Sequence, residues 1–286
     1  MKTASSIALF AFWLAFTSSL CAKEYPQRII TLSPHLAEMV DAAGAADRLI
    51  GVSAFSNYPN KVKNLPITSD ARSIDIERIS TLKPDLILYW ENGTPATQVA
   101  IIKKVFGKSV QIRSVNPKTL SDIASDIDMI GAITGTEKIA LKNSQKLRND
   151  ISELKSTYSK NKTSKKVKVF YQVWAQPLMT INHDHLIGDI IQICGAEQLF
   201  AKEQLLTPTV SREAVIQANP DIIFTATDSS QGKMDWSMWK SIPNLNATKN
   251  NALIEIDGDI ISRPSPRVLE GAKKMCQEIE KIRQKK

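Results

Sequence analysis

Apolar positions along this chain follow two rhythms. Short runs of β-branched and aliphatic residues, RIITLS (28–33), LIGVS (49–53), PDLILYW (84–90) and VQIRS (110–114), predict strands. Between them, PHLAEMVDAAG (34–44), IDIERISTLK (74–83) and ENGTPATQVAIIKKVFG (91–107) carry apolar residues at helical spacing. Ser33 is placed to cap the first of these helices, Pro34 suits its first turn and Gly44 its end. Strands alternating with helices predict an α/β unit with a mostly parallel sheet. From Thr119 to about Tyr158 the pattern is helical without strands, and Leu147, Ile151, Leu154 and Tyr158 form one apolar stripe. A helix from Glu137 to Tyr158 reaches roughly 33 Å at 1.5 Å per residue, enough to run beside two small domains. The alternation then restarts with KVFYQV (168–173), a helix and its exit in DHLIGDIIQICGAEQLF (184–200), the strand NALIEID (251–257) and a closing helix in PRVLEGAKKMCQEIEKI (266–282).

The restart is a repeat. IDIERISTLKPDLIL (74–88) and VSREAVIQANPDIIF (210–224) align residue for residue, with Glu77 on Glu213, Pro84 on Pro220 and Asp85 on Asp221. IIQICGAEQLF (190–200) also echoes MVDAAGAADRLI (39–50), with Gly195 on Gly44. The predicted fold class is therefore α/β, with two Rossmann-like lobes of mostly parallel sheet joined by one long helix. The division expected is 23–135 for the first lobe, 136–160 for the connecting helix and 161–286 for the second lobe.

Residues 1–22 stand apart. Lys2 precedes IALFAFWLAF (7–16), and TSSLCA (17–22) follows with small residues, which reads as a secretory signal. The apolar run falls short of the ~20 residues that span a bilayer. Leu20 occupies the place before Cys21 where a lipoprotein signal has a small residue, so cleavage after Ala22 is expected rather than a lipid anchor, and the destination is the periplasm. Setting Cys21 aside leaves Cys194 and Cys276, which in an oxidising compartment suggest one disulfide or else two separate buried thiols. The chain is 43% hydrophobic and 23% charged, an ordinary globular composition. Its net charge of +8 comes from scattered basic residues. The one cluster, KNKTSKKVK (160–168), reads as a solvated connector, so nucleic acid is not an expected partner.

Nothing in the chain reads as an enzyme. GxGxxG, the P-loop and GxSxG are all absent. Among the histidines, His183 and His185 flank an aspartate in a polar loop, and His35 lies far away in sequence; zinc takes three or four protein ligands at fixed geometry, and no metal site is expected. Aromatic residues collect at predicted strand ends and loops: Tyr58, Trp90, Trp174, Trp236 and Trp239. Ligands bind at the carboxyl ends of parallel strands, so these rings suit a large flat ligand, or else they plug the space between lobe and connector. Asp259 and Arg263 lie in DGDIISRPSPR (257–267), able to bond a ligand rich in amides or to pair with each other. Glu77 and Glu213 are offset from the apolar positions of their helices and should be exposed. Being on separate lobes, they are poorly placed as a catalytic carboxylate pair, which needs a separation under about 10 Å. Two matched negative posts instead suit docking on a two-fold-symmetric partner.

RIITLSPHLAEMVDAAG, GVSAFSNYP, IERISTLKPDLIL, IGDIIQICGAEQLF, VSREAVIQANPDII and SPRVLEGAKKMC together resemble the periplasmic binding proteins with a rigid helix between their lobes. That class carries cobalamin, siderophores, haem or metal ions to ABC importers. The resemblance runs from Gln27 to the C terminus, its repeated E-x-[IV]-x(4)-PD-[LI]-I phrase is specific to the class, and it is strongest with the cobalamin carriers. It implies a monomer that holds cobalamin as cargo, with no cofactor and no chemistry, and hands it to an ABC importer permease dimer; a siderophore or haem carrier is the alternative. Carried over by position, it implies that Tyr58, Trp90, Met179, Trp239, Asp259 and Arg263 surround the ligand, and Trp174, from its place after KVFYQV, is expected to join them. Glu77 and Glu213 are implied to meet arginines of the two permease subunits, and Cys194 and Cys276 to form a disulfide. The pattern departs at Ala71, where better-known members have a tryptophan, and at Met179, which stands for a phenylalanine but can still pack through its soft thioether.

Overall fold

In the computed structural model, residues 24–159, 166–227 and 234–286 are described; the segment 1–22 read as a secretory signal, Cys21 included, lies outside them. The first β-branched run forms β1 (Ile29–Thr31), followed by α1 (Pro34–Ala42), β2 (Leu49–Ser53), β3 (Ile67–Ser69), α2 (Ile76–Leu82), β4 (Leu86–Trp90), α3 (Ala96–Phe106) and β5 (Gln111–Val115). The strands pair in parallel in the order β3-β2-β1-β4-β5. Two helices follow, α4 (Leu120–Thr134) and the 23-residue α5 (Glu137–Ser159). The second lobe contains β6 (Lys168–Gln172), the antiparallel hairpin β7 (Trp174–Ala175) and β8 (Leu178–Met179), α6 (Leu186–Ile193), β9 (Glu197–Gln198), α7 (Arg212–Ala218) and β10 (Ile222–Thr227). It closes with α8 (Ser237–Lys240), α9 (Asn246–Lys249), β11 (Leu253–Asp257), α10 (Gly258–Ile261) and α11 (Val268–Arg283). Its parallel sheet has the order β11-β10-β6-β9.

Both sheets are covered on both faces, which is why their strands are near-continuous apolar runs. In β1 and β4, Ile29, Leu86 and Leu88 face the central core, while Ile30, Ile87 and Tyr89 face the layer of α2 and α3. In β6 and β10, Val169, Tyr171, Ile222 and Phe224 face the same central core, and Phe170 and Ile223 face the far layer. The stripe of α5, Leu147, Ile151 and Leu154, lies in that central core with Tyr158 packed against it, so one apolar body runs from lobe to lobe through the long helix. Among the described residues no helix is long and apolar enough to cross a membrane.

The repeated phrase has a structural cause. Asp75 and Ser211 cap their helices by accepting from Arg78 N and Ala214 N. Lys83 and Asn219 end them in left-handed conformation, with φ of 46° and 50°. Asp85 then accepts from the backbone N–H groups of Gln27 and Arg28 at 2.6 and 2.8 Å, and Asp221 accepts from Lys168 N at 2.8 Å. Arg28 and Lys168 return the bond, donating to the carbonyls at the ends of α2 and α7. Each copy thus locks one helix exit to the start of the neighbouring strand. The echo of Gly44 and Gly195 is likewise conformational: both follow a helix with positive φ, 84° and 67°. Ser33 sits at the N-cap of α1, but its side chain makes no capping bond. Cys194 and Cys276 are joined in a disulfide that ties the end of α6 to the middle of α11.

Candidate functional site

The lobes face each other across a cleft of about 960 Å³ at the carboxyl ends of the C-lobe strands. Its C-lobe wall is built by Gln172 at the end of β6, Trp174 in the hairpin, Thr225 and Thr227 of β10, and Asp259 and Arg263 beyond β11. The N-lobe contributes Phe55, Ser56 and Asn57 from the loop after β2. Phe55 holds φ at 63°, in the left-handed region that disfavours a side chain, and its ring is 76% exposed. Trp174 is 50% exposed; its indole nitrogen donates to Gln176 O at 2.7 Å, which fixes the ring orientation. One exposed aromatic ring therefore stands on each lobe of the same cleft. That cleft is large enough for a drug-sized or macrocyclic ligand.

A polar network crosses the base of this cleft. Arg263 donates to Phe55 O at 3.0 Å, to Asn57 Oδ1 at 2.6 Å and to Glu38 Oε1 at 3.2 Å, and it pairs with Asp259 at 2.6 Å. Asn57 in turn donates to Asp259 Oδ2 at 2.6 Å. Glu38, inside α1, is almost wholly buried and accepts from Arg263, from Ser265 Oγ at 2.6 Å and from Arg267 at 3.3 Å. All three partners of this N-lobe carboxylate lie in the C-lobe. Charge-assisted bonds of this kind are the strong ones, and here they also set the register of the lobes.

Of the residues singled out in the sequence, Trp174, Asp259 and Arg263 come together in the cleft wall. Tyr58 does not join them. It faces a second groove of about 420 Å³ between α1, α5 and α11, with the Arg267 guanidinium 4.8 Å from its ring centre. Trp239 is also displaced from its expected place: it is fully buried against Phe170, because its loop folds back under the sheet. Trp236 is buried nearby and donates to Glu255 Oε1 at 2.9 Å. Trp90 is half-buried at the end of β4, packed edge-on against His35 with centroids 5.2 Å apart. Met179 is half-buried one strand behind Trp174, with which it pairs in the hairpin. Ala71 is exposed in a turn where Asp70 Oδ1 accepts from Arg72 N and Ser73 N, and it is outside the cleft wall.

The histidines serve the fold. His185 caps α6 by accepting from Ile187 N, and His183 bonds Ala201 O. Burial, assisted by the Arg263 charge, holds the His35 imidazole down to about 3, so it is neutral near pH 7. No group of three His, Cys, Asp or Glu among the described residues could hold a metal ion. Glu77 and Glu213 are exposed in the first turns of α2 and α7, where the helix dipole favours a carboxylate.

Phe55, Asn57, Glu38 and Gln172 were not singled out in the sequence. Glu38 had a signal, being an acid within the apolar run HLAEMV, and so did Gln172, a polar residue in KVFYQV. Phe55 and Asn57 had only their proximity to Tyr58.

A pair of doubly wound lobes, a ligand-sized cleft between them and one helix tying both together define a substrate-binding protein. Residues 29–260 match the periplasmic binding protein family, and the chain belongs to it. A vitamin B12-binding protein of Vibrio parahaemolyticus is 33% identical over 96% of this chain and 96% of its own. One from Pectobacterium atrosepticum is 32% identical over 92% of this chain and 93% of its own. The crystal structure of the periplasmic vitamin B12-binding protein of Vibrio cholerae superposes with a TM-score of 0.81 at 30% identity, covering 91% of this chain and 99% of that one. A haem-binding protein of Roseiflexus shares the fold, with a TM-score of 0.77 at 18% identity over 90% of this chain and 98% of its own. Membership of this family makes the role one of binding and transport, without catalysis.

Proposed function

We propose that the protein captures cobalamin in the interlobe cleft and delivers it to an ABC importer. The observation that carries this reading is the pair of exposed rings, Phe55 and Trp174, facing one cleft whose base is polar. A corrin is a flat apolar ring with amide groups at its rim, and it needs that combination: broad apolar surface with a few placed polar groups. The names of the relatives support the same ligand. Cobalamin is cargo here, not a cofactor. Asp259 and Arg263 form the polar base that aligns the rim amides, and Met179, paired with Trp174 in the hairpin, backs the C-lobe wall, while Trp90 stands outside the lining.

Titration calorimetry of residues 23–286 with cyanocobalamin, and with haemin in parallel, tests the reading. Tight one-to-one binding of cyanocobalamin is expected; absence of heat from folded protein overturns it. Phe55→Gly sharpens the test because it removes the ring and relieves the positive φ together. Its affinity should fall about tenfold, as expected for losing an apolar contact of ~1.4 kcal/mol. Its stability should stay within about 1 kcal/mol of wild type. A purely structural ring would show the opposite split.

The reading includes export by residues 1–22, action as a periplasmic monomer, and the division into lobes 23–135 and 161–286 about the helix 136–160. Docking falls to Glu77 and Glu213, one exposed carboxylate per lobe at matched positions of a repeat. Complementary charge orients and accelerates association. Glu77→Lys with Glu213→Lys should weaken binding to the reconstituted importer about tenfold or more, for about 1.4 kcal/mol. Cobalamin affinity should be unchanged, and an importer affinity equal to wild type would refute the docking role.

A further inference from the structure

One polar side chain at the base of the cleft is only half satisfied. Gln172, the last residue of β6, is 1% exposed and lines the cleft. Strand alternation puts it on the face of Phe170, among the apolar residues Ile223 and Trp239. Trp239 Nε1 donates to Gln172 Oε1 at 2.8 Å. An indole N–H can only donate, so the amide atom that meets it must be the oxygen. That fixes the orientation of the amide, with its nitrogen on the side away from the indole. The nitrogen is buried and has no partner among the described residues. The backbone is equally fixed: Thr225 Oγ1 donates to Gln172 O at 2.9 Å, and β6 pairs with β10 on one side and β9 on the other. A buried donor without an acceptor disfavours the folded state, and an apolar residue at this position would avoid the loss.

We propose that Gln172 donates through Nε2 to an acceptor oxygen of the ligand, and that Trp239 is the positioning residue that aims it. The acceptor is a carbonyl or carboxylate oxygen on the rim of a flat ligand. On the cobalamin reading, on which this inference rests, a peripheral amide carbonyl of the corrin supplies it. Trp239 then serves binding without touching the ligand, from within the core of the lobe.

The test is a double-mutant cycle read by calorimetry with cyanocobalamin. Gln172→Met preserves the shape and removes the donor; it should remain folded and bind about fivefold more weakly, ~1 kcal/mol. Trp239→Phe keeps a buried ring but frees the amide to rotate, and should lose about threefold in affinity. The double variant should bind no more weakly than Gln172→Met alone, because Trp239 acts only through Gln172. Wild-type affinity in Gln172→Met overturns the proposal, as does a further loss when Trp239→Phe is added to it. If Trp239→Phe does not fold, Gln172→Glu replaces it: this variant keeps the acceptor for the indole and loses the donor, and wild-type affinity there also overturns the proposal. Failure of wild-type protein to bind cyanocobalamin would overturn the cobalamin reading instead. The same variants would then be compared with haemin, whose carboxylates present the same acceptor chemistry.

Discussion

Replacing Glu38 with alanine is expected to lower the unfolding free energy by about 3–5 kcal/mol, the range for breaking a buried ion pair by deleting one partner. The Glu38 side chain is 1% exposed, and the Arg263 and Arg267 side chains it meets are 12% and 25% exposed. Without the carboxylate, two guanidinium groups remain close together in poorly solvated positions, and Ser265 Oγ loses its acceptor. Because the more exposed Arg267 can recover some hydration, the lower half of that range is the better expectation. Glu38→Gln, which retains an acceptor without the charge, should fall between the two. Urea unfolding measures both variants, and a midpoint equal to wild type in Glu38→Ala would refute the role. Cobalamin affinity should fall as well, since Arg263 also holds Phe55 O and Asn57 at the cleft.

Removal of the disulfide should cost about as much. The bond closes a loop of sequence separation 82, for which chain entropy alone gives about 4.5 kcal/mol. Measured values usually fall below that figure, so about 3 kcal/mol is expected for Cys194→Ala with Cys276→Ala. Both residues are fully buried, which makes the double variant a cleaner comparison than added reductant. Cys194 ends α6 just before Gly195, and Arg283 of α11 donates to the carbonyls of both. The helices therefore stay in contact without the bond, and the loss should appear as a shifted urea midpoint rather than a changed fold. An unshifted midpoint would mean that these contacts constrain the chain sufficiently on their own.

The alternation of strands and helices was legible because each element is local and its apolar period is clear. The repeat was legible for the same reason, since capping residues, a left-handed exit and an aspartate lock all lie within fifteen residues. β3 and the β7–β8 hairpin leave no such trace: runs of two or three residues beside Pro66 and Pro177 carry no period. The site was harder to read. Trp174 and Trp239 look alike in sequence, each an aromatic residue after a strand, yet one is half exposed and the other fully buried. Which outcome applies depends on how the later loop packs under the sheet, and composition does not encode that. The pairing of Glu38 with Arg263 spans 225 residues, and only the finished fold brings them together.

The apolar body that passes through α5 bears on how such proteins can be recombined. Its members come from α1, α4, α5, α6 and α11 as well as both sheets, so the boundary between the lobes is not a seam of independent surfaces. Grafting the second lobe of a relative onto the first lobe of this chain would mismatch side chains along the whole length of the helix. A workable chimera would have to exchange the α5 stripe, Leu147, Ile151 and Leu154, together with whichever lobe is moved. The loops that shape the cleft add a second condition: Phe55 and Asn57 of one lobe bond Arg263 of the other, so these loops would have to travel as a matched pair, and ligand preference is inherited from both halves at once.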